Sequence, residues 1–356
     1  MIRVLGLALY GPLAASTRYR LEQYVPGLAG LGIDLQVRCL LGDEYLRQRF
    51  QGARLPLGSL LGDGAKRLTH LRDIGSFDLA ILYCELFPLM PGWLETSLIR
   101  IPYIYDMDDA FYLRYQMGRK RIARSLLGGK FERVIAGAAA VTAGNDVLAD
   151  YARRYNSRVT QLPTVVDITR YVPAVSRPDA SGQAPFTVGW IGSPSTASYL
   201  PELVEPLAAL GAEAPLNFVV IGGKAPVIPN VNVIEVEWTE ESEVGMINTF
   251  DVGVMPLPDD EWARGKCAFK LIQYMACGLP VVASPVGANK VVVNDECGLM
   301  AATSKEWVSA LRLLRDDPAR RAAMGRAGRA RVEQHYSLHN NLPSLAAVIR
   351  GVADRG

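Results

Sequence analysis

The chain has 356 residues, too many for one ordinary core and suggestive of two domains. Its 38 Lys and Arg against 36 Asp and Glu leave a formal charge of +2, which argues against a dedicated nucleic-acid binder. Apolar residues make up 49% of the chain, ample for two packed cores, and no tract reads as disordered.

The opening MIRVLGLALYGPL has one Arg and a short apolar run broken by Gly11 and Pro12. It reads as a first β-strand rather than a signal peptide. Further strands are expected at Asp34–Leu40, Phe77–Tyr83, Ile101–Asp106, Ala139–Ala143 and Arg158–Leu162, after the first at Ile2–Leu9. Helical stretches lie between them, at Arg18–Leu31 and at Asn145–Tyr155, where Asn145 suits an N-cap. The stretch LPTVVDITRYVPAVSRPDASGQAP has four prolines and no helical period, so it reads as a linker. A second alternating series places strands at Phe186–Ile191, Asn217–Ile221, Val231–Glu235, Val252–Met255 and Pro280–Ala283. From about Ser304 the pattern is helical and rich in Ala and Arg. Two doubly wound α/β domains joined near residues 163–184 are expected, with ligands at the carboxyl ends of the strands. No apolar stretch is long enough to span a bilayer.

KCAFKLIQYMACGLPVVAS, from Lys266 to Ser284, raises a question of charge. Lysines at the start of a helix oppose its dipole. With a helix starting near Lys266, Lys266 and Lys270 fall one turn apart, and the amides of Cys267, Ala268 and Phe269 point out of the first turn. That combination makes a diphosphate site; two solvated lysines on an ordinary helix are the bland alternative. Gln273, a turn further on, can bond hydroxyls. GWIGSPST offers Gly192 and Ser193 at a strand end, with Ser195 and Thr196 after them, and IGGK offers Gly222 and Gly223 at the next. Each of these is also an ordinary turn signal. Neither a P-loop nor a G-x-G-x-x-G dinucleotide motif is present.

YDMDDAF places Asp106, Asp108 and Asp109 at a strand's carboxyl end. An Asp-x-Asp of this kind can hold a metal, can cap a helix, or can accept a hydrogen bond from a reacting hydroxyl. The last reading is favoured, for Asp108 or Asp109. His335 and His339 are four apart but lack a third ligand, so a surface pair is expected rather than a metal site. The five cysteines, Cys39, Cys84, Cys267, Cys277 and Cys297, form no C-x-x-C pair and fit reduced thiols of a cytosolic protein. The stretch Leu113–Arg133 carries Arg114, Arg119, Lys120, Arg121, Arg124, Lys130 and Arg133, with Met117, Leu126, Leu127 and Phe131 among them. Such a segment can dock on anionic lipid or can be a solvated helix face.

KLIQYMACGLPVVASPVG, GWIGSPST and LPTVVD resemble the GT-B-fold retaining glycosyltransferases of family 4. ASTRYRLEQYVPGLAGLGI and YDMDDAF resemble a bacterial subgroup of it, and the resemblance spans essentially the whole chain. It implies two Rossmann-like domains, an acceptor-binding one over 1–165 and a nucleotide-sugar-binding one over 166–335. A C-terminal helix over 336–356 would pack back on the first. It implies a UDP- or GDP-sugar donor, a glycan or lipid-linked acceptor, no nucleic acid, no cofactor and no metal. It implies a cytoplasmic enzyme of envelope or exopolysaccharide synthesis, with peripheral contact at the inner face of the membrane as an option. The family's E-x7-E motif falls on Gly265 and Gln273. Glycine cannot replace a carboxylate, so either Asp259, Asp260 or Glu261 substitutes or the motif's role is lost. The family's basic pair is also missing from GSPST, which leaves Lys266 and Lys270 to carry that charge. Asp108 falls where many relatives have the His of a His-Asp pair beside the donor sugar. Other classes remain open: a sugar-nucleotide epimerase, a phosphorylase, or an inactive nucleotide-sugar-binding subunit.

Overall fold

The computed structural model describes residues 1–50, 57–116, 126–174 and 184–355. They form two compact units, one of Met1–Thr164, Gly265–Cys267 and Leu338–Gly356, the other of Val165–Arg264 and Ala268–Ser337.

The first unit holds a parallel six-stranded sheet in the order β2-β1-β3-β4-β5-β6. Its strands are β1 (Ile2–Tyr10), β2 (Ile33–Leu41), β3 (Leu79–Tyr83), β4 (Tyr103–Met107), β5 (Ala140–Ala143) and β6 (Val159–Gln161). The central strands β3, β4 and β5 are buried at every position and apolar except chiefly at Asp106 and Thr142, as parallel strands covered on both faces require. After β1 the chain moves outward to β2 and then returns to β3 on the other side. The switch point of this sheet therefore lies between the carboxyl ends of β1 and β3.

The second unit repeats the plan in the order β12-β11-β10-β7-β8-β9. Its strands are β7 (Phe186–Ile191), β8 (Leu216–Ile221), β9 (Asn232–Val236), β10 (Val252–Met255), β11 (Val281–Ala283) and β12 (Gly298–Met300). Here the switch point falls between β7 and β10. One core of this unit gathers Val188, Trp190, Phe218, Val220 and Val254 with Trp307, Leu311 and Leu314 from the helix Ser304–Asp316.

Two local expectations are revised, and the surface placement of His335 and His339 holds, both being exposed. The stretch Arg18–Leu31 is broken into a helix at Ala15–Arg20, a 3-10 turn at Glu22–Tyr24 and a helix at Val25–Gly30. Pro26 lacks an N–H and so sits at the start of the last piece rather than inside a longer one. β12 carries no β-branched residue and is three residues long, which hid it from the strand pattern. His335 ends the helix Pro318–His335 and His339 belongs to the next, Leu338–Ala353, so the two are not ligands of one helix face.

The basic stretch 113–133 is also revised. Met117, Arg119, Lys120, Arg121 and Arg124 lie outside the described residues. Lys130 is not a surface cation: it is buried and meets both Glu85 and Glu95 at 2.7 Å. Glu85 takes Arg114 at 2.7 Å through its other oxygen. Phe131 and Leu127 are core, while Leu126 and Arg133 are exposed. Among the described residues no helix is long and apolar enough to cross a membrane.

Candidate functional site

In the second unit the expected donor-site residues lie at strand ends and in the helix after β10, while Lys266 and Cys267 belong to the first unit. β7 ends at Ile191, and Gly192 and Ser193 follow it directly. Ser193 Oγ lies 2.9 Å from Ser195 Oγ, and Thr196 Oγ1 donates to the Ser193 carbonyl at 3.0 Å. The glycines have a packing reason of their own. A Cβ on Gly192 would lie 2.5 Å from the Trp190 ring, and one on Gly223 would lie 2.9 Å from it. Gly222 has φ +75° and would press a Cβ to 2.5 Å from the Gly192 carbonyl oxygen. Gly192 and Gly223 seat Trp190, and that requirement holds whether or not a ligand approaches.

The helix of the Lys266–Ser284 stretch runs Phe269–Ala276, three residues later than the charge pattern suggests. Lys266 therefore lies outside the helix, and the two lysines are not one turn apart on it. Ala268 caps the helix at φ 55°, a left-handed conformation that costs a non-glycine residue about 1–2 kcal/mol. Strain of this kind gathers at ligand sites. Its methyl side chain cannot accept a hydrogen bond, and no acidic residue lies in the first turn. The helix dipole is thus uncompensated from within the helix, which suits an anion. Lys270 is in that first turn, its Nζ 5.4 Å over the Trp190 ring. Gln273 is buried and donates to the Tyr171 hydroxyl at 2.8 Å. Tyr171 in turn donates to Glu243, which also accepts from Trp238 Nε1 at 2.6 Å. The Tyr171 bond uses one of the two Nε2 hydrogens, leaving the other and the carbonyl oxygen of Gln273 to meet a hydroxyl.

The carboxylates proposed to replace the missing Glu are partly engaged. Asp259 pairs with Arg264 at 2.7 Å, and Asp260 accepts from the Ala263 amide at 2.7 Å as a helix cap. Glu261 begins the helix Glu261–Arg264 and is exposed.

In the first unit the three aspartates separate into distinct roles. Asp106 is buried and takes both Nε and Nη2 of Arg20, with Nε at 2.8 Å, while Thr142 donates to it at 2.5 Å. Arg20 also reaches the Leu162 carbonyl at 2.8 Å. This aspartate is structural, and its oxygens are already occupied. Asp109 accepts from the Ala110 amide at 2.9 Å and faces Lys266 Nζ at 3.5 Å. Lys266 is therefore paired with a carboxylate of its own unit, a partner that the sequence pattern concealed.

Asp108 is different. It is half-buried and accepts from the Tyr83 hydroxyl at 2.6 Å. Burial pushes its carboxyl up to about 7, against the opposing charge of Arg20 and the Tyr83 hydrogen bond; Asp109 and Asp106 add to the rise. A carboxyl near neutrality can accept a proton from a hydroxyl and return it. Tyr83 was not among the expected site residues; the available signal was a hydroxyl-bearing aromatic at the carboxyl end of a central strand.

Gly265 and Cys267 complete this region. A Cβ on Gly265 would lie 2.5 Å from Ala110 Cβ, so the backbone leaves no room for a Glu side chain there. Asn145, the predicted N-cap, does accept from the Leu148 amide at 2.9 Å. Its Nδ2 also donates to the carbonyls of Gly265 and Lys266 at 2.9 and 3.0 Å. Cys267 Sγ donates to the Asp108 carbonyl at 3.0 Å, and burial raises the thiol well above its usual range, which removes it as a nucleophile.

Residues 185–317 match the family described as Glycosyl transferases group 1. The chain is 44% identical over 68 residues to a GDP-mannose-dependent monoacylated alpha-(1-6)-phosphatidylinositol monomannoside mannosyltransferase of Corynebacterium glutamicum. That stretch covers 18% of each chain, so the match spans under a fifth of this curated relative. Among solved structures, sucrose-phosphate synthase from Thermosynechococcus elongatus superposes with TM-score 0.70 at 15% identity, covering 100% of both chains. HepE from Anabaena, in complex with UDP-glucose, gives TM-score 0.71 at 15% identity over 99% of this chain and 100% of that one. The fold is that of GT-B glycosyltransferases, as the sequence resemblance implied.

Proposed function

We propose that this chain, whose residues 185–317 match the Glycosyl transferases group 1 family and whose fold is that of GT-B glycosyltransferases, transfers a sugar from a nucleotide-diphosphate donor to a glycan or lipid-linked acceptor with retention. The observation that carries the reading is that the matched residues contain the whole sheet of the second unit, its switch point and the Lys270 helix. The donor is a UDP- or GDP-sugar. UDP-glucose is bound by the Anabaena neighbour, and GDP-mannose is named for the Corynebacterium relative. As the acceptor oxygen bonds to the anomeric carbon, the bond from that carbon to the diphosphate oxygen breaks. The electron pair leaves on the nucleoside diphosphate, where Lys270 and the helix N-terminus at Ala268 and Phe269 stabilise it. Asp108 orients the acceptor hydroxyl and takes its proton. Lys266, held by Asp109, contributes less charge than its place in the motif suggests. A cytoplasmic role in envelope or exopolysaccharide synthesis is part of the same reading.

Release of free nucleoside diphosphate only when acceptor is added tests the activity, after a thermal-shift screen of nucleotide sugars has identified the donor. Release without acceptor, or epimerised donor in place of a transfer product, would refute it. Lys270→Glu is expected to weaken UDP or GDP binding at least tenfold, about 1.4 kcal/mol, measured by calorimetry. Unchanged affinity would remove the diphosphate site from this helix.

Turnover is expected to need no divalent metal. The support is that the Asp106 carboxylate of the Asp-x-Asp is already taken by Arg20 and Thr142. Activity that a chelator abolishes and magnesium or manganese restores would overturn this expectation.

A further inference from the structure

Beside Asp108 the first unit carries an aromatic and cationic cluster. Tyr83, the partner of Asp108, meets Phe111 edge-on with centroids 6.0 Å apart. The Arg114 guanidinium lies 5.3 Å from the Phe111 centroid. Tyr10 stacks on Tyr45 with centroids 6.0 Å apart, and Arg49 donates to the Tyr45 hydroxyl at 3.3 Å. Burial raises the Tyr10 phenol, while the charges of Arg114 and Arg49 both oppose that rise, so the two guanidinium groups act on one ring. Tyr10 and Tyr83 are the last residues of β1 and β3, at the switch point of this sheet.

Guanidinium groups meet this cluster at Phe111 and at Tyr45. Glu85 is shared between Arg114 and Lys130, and Glu95, which faces Lys130, is pushed by burial to about 7 and is partly protonated at neutral pH. Arg49 adds a further charge on an exposed side chain. Guanidinium forks match phosphate and carboxylate geometry, and tyrosine faces give a flat apolar platform with polar edges.

We propose that Tyr10, Tyr45, Arg49 and Arg114 form the acceptor subsite, and that it takes a glycan unit bearing an anionic group, phosphate or carboxylate. This rests on the glycosyltransferase reading and names the chemistry of its acceptor.

Calorimetry on the full chain with glucose, glucose 6-phosphate and glucuronate tests it. The two anionic probes are expected to bind at least tenfold more tightly than glucose. Arg49→Gln, an exposed change, should remove most of that preference; Arg114→Gln should remove more, and Lys270→Glu should leave it intact. Equal affinity for all three probes overturns the subsite, as does a preference lost in Lys270→Glu but kept in Arg49→Gln. If Arg114→Gln fails to fold, Arg49→Gln decides alone. Sedimentation with phosphatidylglycerol against phosphatidylcholine vesicles separates the two sources of the anion. Binding to the former that Arg49→Gln abolishes places the charge in a lipid headgroup, while sugar-phosphate preference without it places the charge on the glycan. Stabilisation by a nucleotide sugar with no anionic preference refutes this subsite alone. Absence of stabilisation by any nucleotide sugar refutes the glycosyltransferase reading instead.

Discussion

Lys130→Met is expected to destabilise the protein by about 3–5 kcal/mol, the usual consequence of removing one partner from a buried ion pair. The substitution keeps much of the side-chain volume but leaves Glu85 and Glu95, both fully buried, without the ammonium between them. The loss should depend on pH. Burial already raises Glu95 to about 7, and Lys130 is the main influence holding it down. Without Lys130 the carboxyl moves higher still, so at pH 5 it is protonated and tolerates burial, whereas at pH 8 its ionised form is penalised. Denaturant midpoints should therefore fall further at pH 8 than at pH 5. Arg133→Met, an exposed change on the same helix, should shift the midpoint little. Equal stability of Lys130→Met and wild type at pH 8 would show that the cluster contributes nothing to the fold.

Asp108→Asn is expected to lower turnover about a hundredfold or more while leaving nucleotide affinity nearly unchanged. It keeps the shape of the side chain and an oxygen to accept from Tyr83, and it removes the proton-accepting charge. In the unsubstituted enzyme, turnover should rise with pH through about 7 as the carboxyl ionises, and Asp108→Asn should lack that limb. The stability effect has a defined sign. The folded carboxyl holds its proton to about 7, against 3.8 for the free side chain, so its contribution to stability is greatest below pH 3.8. That contribution is lost as pH rises through about 7. Asp108→Asn has no such dependence, so it should melt no earlier than wild type at pH 8. Normal turnover would make Asp108 a bystander, and early melting at pH 8 would make it structural.

Local pattern was enough to read most of the secondary structure. β7 and β10 lie at the residues expected, because short apolar runs bounded by turn residues encode buried parallel strands without long-range information. The Asn145 cap was legible for the same reason, since a side chain and an amide three residues on are local partners. The family-like stretch at Lys266–Ser284 likewise pointed to a helix and strand in the second unit, and those elements are there.

What remained hidden depends on residues far apart in the chain. The pairing of Asp106 with Arg20 spans 86 positions and turns a prospective metal ligand into a buried structural carboxylate. Lys130 reads as one cation in a basic run, yet Glu85, 45 positions away, takes it into the core. Gly265 looks like a lost carboxylate until Ala110 is seen to fill the space beside its Cα. Asp108 and Asp109 are adjacent and chemically identical in the sequence. Asp108, just past β4, is held by Tyr83 from the end of β3 and has its carboxyl raised by burial, while Lys266 neutralises Asp109. Periodicity and turn chemistry act over a few residues and so are written locally. Charge state is set by whatever desolvates or neutralises a group, and only the folded chain brings those partners together.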